Sequence, residues 1–74
     1  MRVVTEKVLA ALRAQFPEGT RVQLVRMDDQ QAPPIGTRGT VYGVDDAGSI
    51  LVNWDNGSGL NVIFGEDVVQ KVVD

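Results

Sequence analysis

Seventy-four residues make one domain, expected to span 1–74 without a linker. The absence of cysteine and histidine excludes disulfides and thiolate metal sites and removes the commonest general base. A net charge of −3 argues against a broad, sequence-independent nucleic-acid footprint, which needs clustered Lys and Arg.

A chain this short buries only about 60% of the surface it exposes when unfolded, so every large apolar side chain matters to its stability. No apolar run approaches the roughly 18 residues of a membrane span. The N-terminal residues carry no apolar segment ending in small residues, as a signal peptide would. The expectation is therefore a reduced, cytoplasmic setting without a membrane.

Thr5 reads as a helix N-cap, with Glu6 in the first turn where a negative charge suits the dipole. The helix, with its caps, is expected over 5–16. Val8, Leu9, Leu12 and Phe16 fall at helical spacing on one stripe, and Pro17 ends the element. So short a helix is marginal in water and needs the rest of the fold to dock on. From Arg21 to Arg26 polar and apolar residues alternate, which is the pattern of a half-buried strand. Met27 to Gly36 is the longest irregular stretch, stiffened by Pro33 and Pro34. Thr37 to Val44 is the second strand. A bulge near Tyr42 and Gly43 would let Val41 and Val44 both face inward and leave Tyr42 outside.

Asp45 to Gly48 supplies turn chemistry, after which Ile50, Val52 and Trp54 share one face. The next connection fixes a register. A two-residue turn at Asn56-Gly57 would set Val52 against Asn61. A three-residue loop, Asp55 to Gly57, sets Trp54 against Ser58, Val52 against Leu60 and Ile50 against Val62. Slipping by one residue turns every side chain over, so burial selects the longer loop, with Phe64 also inward. Gly65 to Asp67 is a short turn, and Val68 to Val73 is a closing strand. One N-terminal helix and five strands, the second bulged, predict a mainly β chain: a small SH3-like bent barrel over 20–73, closed so that few strand edges stay exposed.

Phe16-Pro17, Gly19 to Val22, Arg26 to Asp29, Ala32 to Pro34, Gly36 to Val41, Val44 to Asp46, Trp54 to Ser58 and Gly65 to Asp67, in that order, resemble the bacterial and phage domain of unknown function 4314 family over nearly the whole chain. The Gly-Thr-x-Gly-Thr-Val and Trp-Asp-Asn-Gly-Ser segments are also similar to the Mib/Herc2 module of eukaryotic ubiquitin ligases, across about half of the chain. That second resemblance implies an SH3-like barrel that binds partner proteins. Gly59 stands where members of the first family commonly carry a second Ser. The family brings no activity, cofactor or catalytic residue with it.

The acidic pairs Asp28-Asp29, Asp45-Asp46 and Glu66-Asp67 have two readings: carboxylates gathered on a hard cation, or turn residues satisfying local backbone donors. The turn reading is the ordinary one, and no metal or other cofactor is expected. Ser49 and Ser58 have no recognisable catalytic partner, and Gly36 to Gly39 lacks the Lys-Ser/Thr ending of a phosphate loop. The chain therefore reads as a non-catalytic interaction module that presents Met27, Asp28, Asp29, Pro33 and Pro34 of the long loop, together with Tyr42, to a protein partner. The alternative is a nucleic-acid-associated accessory protein of a phage or mobile element that uses Arg21, Arg26 and Arg38. Surface solubility, or pairing of these arginines with Asp28 and Asp29, is the plainer expectation. Val3, Val4, Val69 and Val73 exceed what one small core can use, so the chain is expected to be a monomer or a weak homodimer.

Overall fold

The computed structural model describes residues 4–73. Helix α1 (Glu6–Gln15) begins where the Thr5 hydroxyl oxygen accepts a hydrogen bond from the Val8 amide at 3.2 Å. It ends at Phe16, whose amide still donates to the Leu12 carbonyl at 2.8 Å. Leu12 is buried, and Val8 and Phe16 pack beside it against the core. The docked stripe gives so short a helix the support it lacks alone. From the flank of this stripe Arg13 reaches the Asp46 carboxylate at 2.8 Å. No described helix is long and apolar enough to cross a membrane.

Strands β1 (Arg21–Arg26), β2 (Arg38–Val44), β3 (Ser49–Trp54), β4 (Val62–Ile63) and β5 (Val68–Lys71) form one antiparallel sheet in the order β4-β3-β2-β1-β5. Period-two alternation decides its inner face: Val22 and Leu24 on β1, Val41 on β2, and Ile50, Val52 and Trp54 on β3 are all buried, joined by Leu12 and Val62. Each such aliphatic side chain stabilises the fold by about 1.5–3 kcal/mol through the area it removes from water. The β2–β3 register shifts between Val41 and Gly43, which is the expected bulge. It leaves Tyr42 exposed while Val44 still packs on the core.

Glycine is required for space at Gly39. A Cβ there would stand 2.6 Å from Val52 Cγ1, 2.8 Å from the Asn53 carbonyl oxygen and 2.9 Å from Trp54 Cε3. The two strands meet here over the largest side chain of the core. At the β2–β3 turn the requirement is conformational. Gly48 has φ +85°, and Asp45 Oδ1 accepts hydrogen bonds from the Ala47 and Ser49 amides at 3.0 and 2.8 Å. Asp45 thus does turn chemistry, as Asp at this position commonly does.

The hairpin after β3 has the expected parity but only part of the expected ladder. Ile50 pairs with Val62, and Gly57, with φ +87°, donates to the Trp54 carbonyl at 3.0 Å. Val52 and Leu60, and Trp54 and Ser58, do not pair. The Trp54 indole Nε1 instead donates to the Leu60 carbonyl at 2.7 Å, which takes that segment out of the ladder.

The expected closed barrel is not formed. β4 has two residues and β5 four, and among the described residues no ladder joins them across the seam; the isolated bridge between Phe64 and Asp67 belongs to the turn that connects them. The cause is local. Gly65, at φ +87°, turns the chain immediately after β4, and the Asp67 carboxylate accepts the Ile63 amide at 2.8 Å, satisfying an edge donor that a neighbouring strand would otherwise take. Phe64 lies on the inner side with Ile50 and Val62, yet with the seam open it stays 42% exposed rather than buried as expected. The surplus of valines is smaller than the sequence implies. Val69 packs on the core, Val4 is half-buried against Gly48, Val73 is exposed, and Val3 lies outside the described residues.

Candidate functional site

The segment joining β1 to β2 is tied at its β2 end to Leu24 of β1. The Leu24 amide donates to the Thr37 carbonyl at 2.9 Å, and the Gly36 amide donates to the Leu24 carbonyl at 2.8 Å. Within it the Asp29 carboxylate accepts the Gln31 amide at 2.7 Å, and the Pro34 carbonyl accepts both the amide and the hydroxyl of Thr37. A loop tied down in this way holds its side chains in place without regular structure, a common setting for binding residues.

At the root of this loop lies a cleft of about 290 Å³. Met27, Leu60 and Ile63 give it apolar walls, and Asp28, Asp29, Glu66 and Asp67 give it carboxylates. It continues into a second, more polar hollow where Arg26 and Gly65 join Asp28, Glu66 and Asp67. β1–β5 pairing sets this geometry by placing Arg26 against Val68, so the end of β1 meets the turn that leads into β5. Asp28 makes no hydrogen bond or ion pair with the described residues. The side-chain oxygen of Asn61, on the cleft wall, is buried and accepts no hydrogen bond from them. An unmade buried hydrogen bond costs about 1–3 kcal/mol, so this acceptor favours any donor that reaches it.

The structure thus brings Met27, Asp28 and Asp29 together and separates the other expected binding residues from them. Pro33 is buried and unavailable to a partner, and Pro34 is exposed on the loop away from the cleft lining. Tyr42 is exposed, but it lies at the far end of β2, near Val41, whose carbonyl accepts the Gly19 amide at 2.8 Å. The four residue steps from Arg38 to Tyr42 span roughly 13 Å, too far for one small contact surface. Leu60, Asn61 and Ile63 come from a segment whose alternation reads simply as a strand, and nothing in the sequence marks them. The acidic pairs carried a partial signal. Asp28-Asp29 and Glu66-Asp67 do meet at the cleft, whereas Asp45-Asp46 serves the β2–β3 turn. No group of three or more acidic residues among those described is arranged to hold a metal ion.

The arginine patch is dispersed, and among the described residues none of its members pairs with Asp28 or Asp29, which leaves surface solubility as the alternative that stands. Arg21 forms a two-pronged contact with Asp55, at 2.8 and 2.7 Å, and also donates to the Thr40 hydroxyl at 3.0 Å. Arg38 donates to the Gln23 side-chain oxygen at 3.2 Å, and Arg26 lies at the other end of β1 beside the cleft. Hydrogen bonds from Arg21 hold the Asp55 carboxyl below its ordinary 3.8; desolvation opposes them, and the Arg21 and Arg38 charges add smaller lowering contributions. A carboxylate whose folded value is depressed adds stability above its unfolded value and loses it as pH falls through the folded one. This small increment should therefore disappear below about pH 4. In an Arg21→Gln variant, carbon-detected NMR titration should find Asp55 back near its ordinary value, with a flatter acid limb in thermal stability. An unchanged Asp55 titration would mean that the pair does not persist in solution.

A second groove, of about 310 Å³, follows the open seam between β4 and β5. Leu12, Phe16, Ile50, Val62, Phe64 and Val68 line it. It is a gap in the core's cover and has few polar groups to orient a ligand, so the loop-root cleft is the better candidate. No curated protein and no solved structure matches the chain. Residues 5–72 match the model of a family described as a domain of unknown function (DUF4314), and with nearly its whole length inside that match the chain belongs to this family.

Proposed function

We propose that this chain is a non-catalytic interaction module that binds a protein partner in the loop-root cleft, on an SH3-like arrangement of its strands. One observation carries the reading: an anchored loop and a sheet end jointly wall a cleft that combines the apolar Met27, Leu60 and Ile63 with several carboxylates. Recognition sites typically pair apolar area with a few placed polar groups in this way. The β1–β5 neighbourhood, the bulged β2 and the short turn before β5 support the SH3-like description, with the barrel left open at one seam. The reading narrows the sequence expectation, since the cleft takes Met27, Asp28 and Asp29 from the loop and leaves Pro33, Pro34 and Tyr42 out.

A nucleic-acid role is the weaker reading. Arg21 is matched by Asp55, and Arg26 sits among carboxylates that repel phosphate, so Arg21, Arg26 and Arg38 form no continuous stripe. Titration with single- and double-stranded probes at low salt should be flat.

The test of the main reading is affinity capture from a native lysate with wild-type protein, Asp28→Lys and Ile63→Ser. Both side chains are exposed, so both variants should melt close to wild type. The expected result is one or more proteins retained by wild type and lost by both variants, while an Asn53→Lys control on the outer sheet face still retains them. Equal capture by all four proteins would overturn the cleft as the binding site.

A further inference from the structure

Resting on the protein-binding reading, we infer that the loop-root cleft takes an extended, cationic segment of its partner, with an arginine or lysine head among the carboxylates and its aliphatic stem against Met27, Leu60 and Ile63. Charge complementarity carries the inference. The cleft and the hollow that continues it present the carboxylates of Asp28, Asp29 and Asp67, with Arg26 on the wall of the second hollow. Asp29 and Asp67 each spend one oxygen on a backbone amide, of Gln31 and Ile63 respectively, which fixes the carboxylates in place and leaves the second oxygen of each to accept. Asp28 has no partner among the described residues and stands at the junction of the two hollows.

The same features distinguish a cationic side chain from a bare ion. The carboxylates are spread along the cleft and do not converge into a metal-binding group, and apolar walls offer nothing to a hydrated ion. A lysine or arginine places its methylene stem on apolar surface while its charged head stays at a polar edge, which matches this layout. Arginine is the better fit, because its planar fork can meet a carboxylate with two hydrogen bonds.

The experiment is selection of a phage-displayed library of random twelve-residue peptides on the intact, immobilised protein, followed by affinity measurement on the leading synthetic peptide. Selected sequences should be enriched in arginine or lysine next to an aliphatic residue. Replacing that basic residue by glutamine, or Asp28 by asparagine in the protein, should each weaken binding at least tenfold, and affinity should fall as salt rises. Selected peptides that are neutral or acidic, yet fail to bind Asp28→Lys and Ile63→Ser, would overturn the cationic occupant and leave the cleft as a docking site. Peptides that bind those variants as tightly as wild type, or no selected peptide at all, would overturn the underlying reading as well.

Discussion

Replacing Trp54 by alanine should lower the melting temperature by roughly 12–40 °C, because truncating a buried tryptophan costs about 3–5 kcal/mol and each kcal/mol is worth about 4–8 °C in a domain of this size. The whole chain, at about 0.05–0.15 kcal/mol per residue, is held together by only about 4–11 kcal/mol. Trp54 is 4% exposed, lies over Gly39 and ends the inner row that Ile50 and Val52 begin. It also holds the Leu60 carbonyl through its indole Nε1. Trp54→Phe separates the two contributions. It keeps much of the ring but orphans that carbonyl, and should cost about 1–3 kcal/mol. Far-ultraviolet circular dichroism during heating measures both variants. A Trp54→Ala melt within 5 °C of wild type would mean that the indole is not a core anchor.

Gly39→Ala should be comparably severe through the opposite fault. The added methyl would stand under 3 Å from Val52, from the Asn53 carbonyl oxygen and from Trp54. One of the three contacts is backbone and the other two belong to fully packed side chains, so no single rotamer change relieves them. Overpacking of this kind costs about 1–3 kcal/mol and more where backbone must shift, and about 3 kcal/mol or above is expected at this site. Gly43→Ala is the control, since a Cβ there meets nothing nearer than Leu51 Cδ1 at 3.7 Å. Urea midpoints should fall sharply for the first and little for the second. Equal midpoints would contradict the close approach of β2 and β3.

What was legible in the sequence was whatever short-range periodicity imposes. The Thr5 cap, the Pro17 stop, the inward row of Ile50, Val52 and Trp54, and the bulge that frees Tyr42 all follow from neighbours a few residues apart. The open seam was not legible. It depends on β4 being cut to two residues by a turn at Gly65 and on Asp67 capping Ile63, and alternation cannot reveal either. Phe64 was misplaced for the same reason. Arg21 finds Asp55 across 34 positions, a choice made by strand register rather than by local charge. The loop half of the cleft was readable, since a long polar loop with two acidic residues at its start stands out. Its other half, Leu60, Asn61 and Ile63, becomes visible only after β1 pairs with β5 and carries the loop root to that segment. Pro33 shows the converse limit. Proline in a polar loop reads as surface, yet here it is buried.

The most direct measurement is amide hydrogen exchange on the free protein and on its complex with whichever partner native capture recovers. Slowed exchange confined to residues 27–31 and 60–67 is the predicted result. Protection on the outer sheet face around Arg38, Tyr42 and Asn53, with those two segments unchanged, would contradict it.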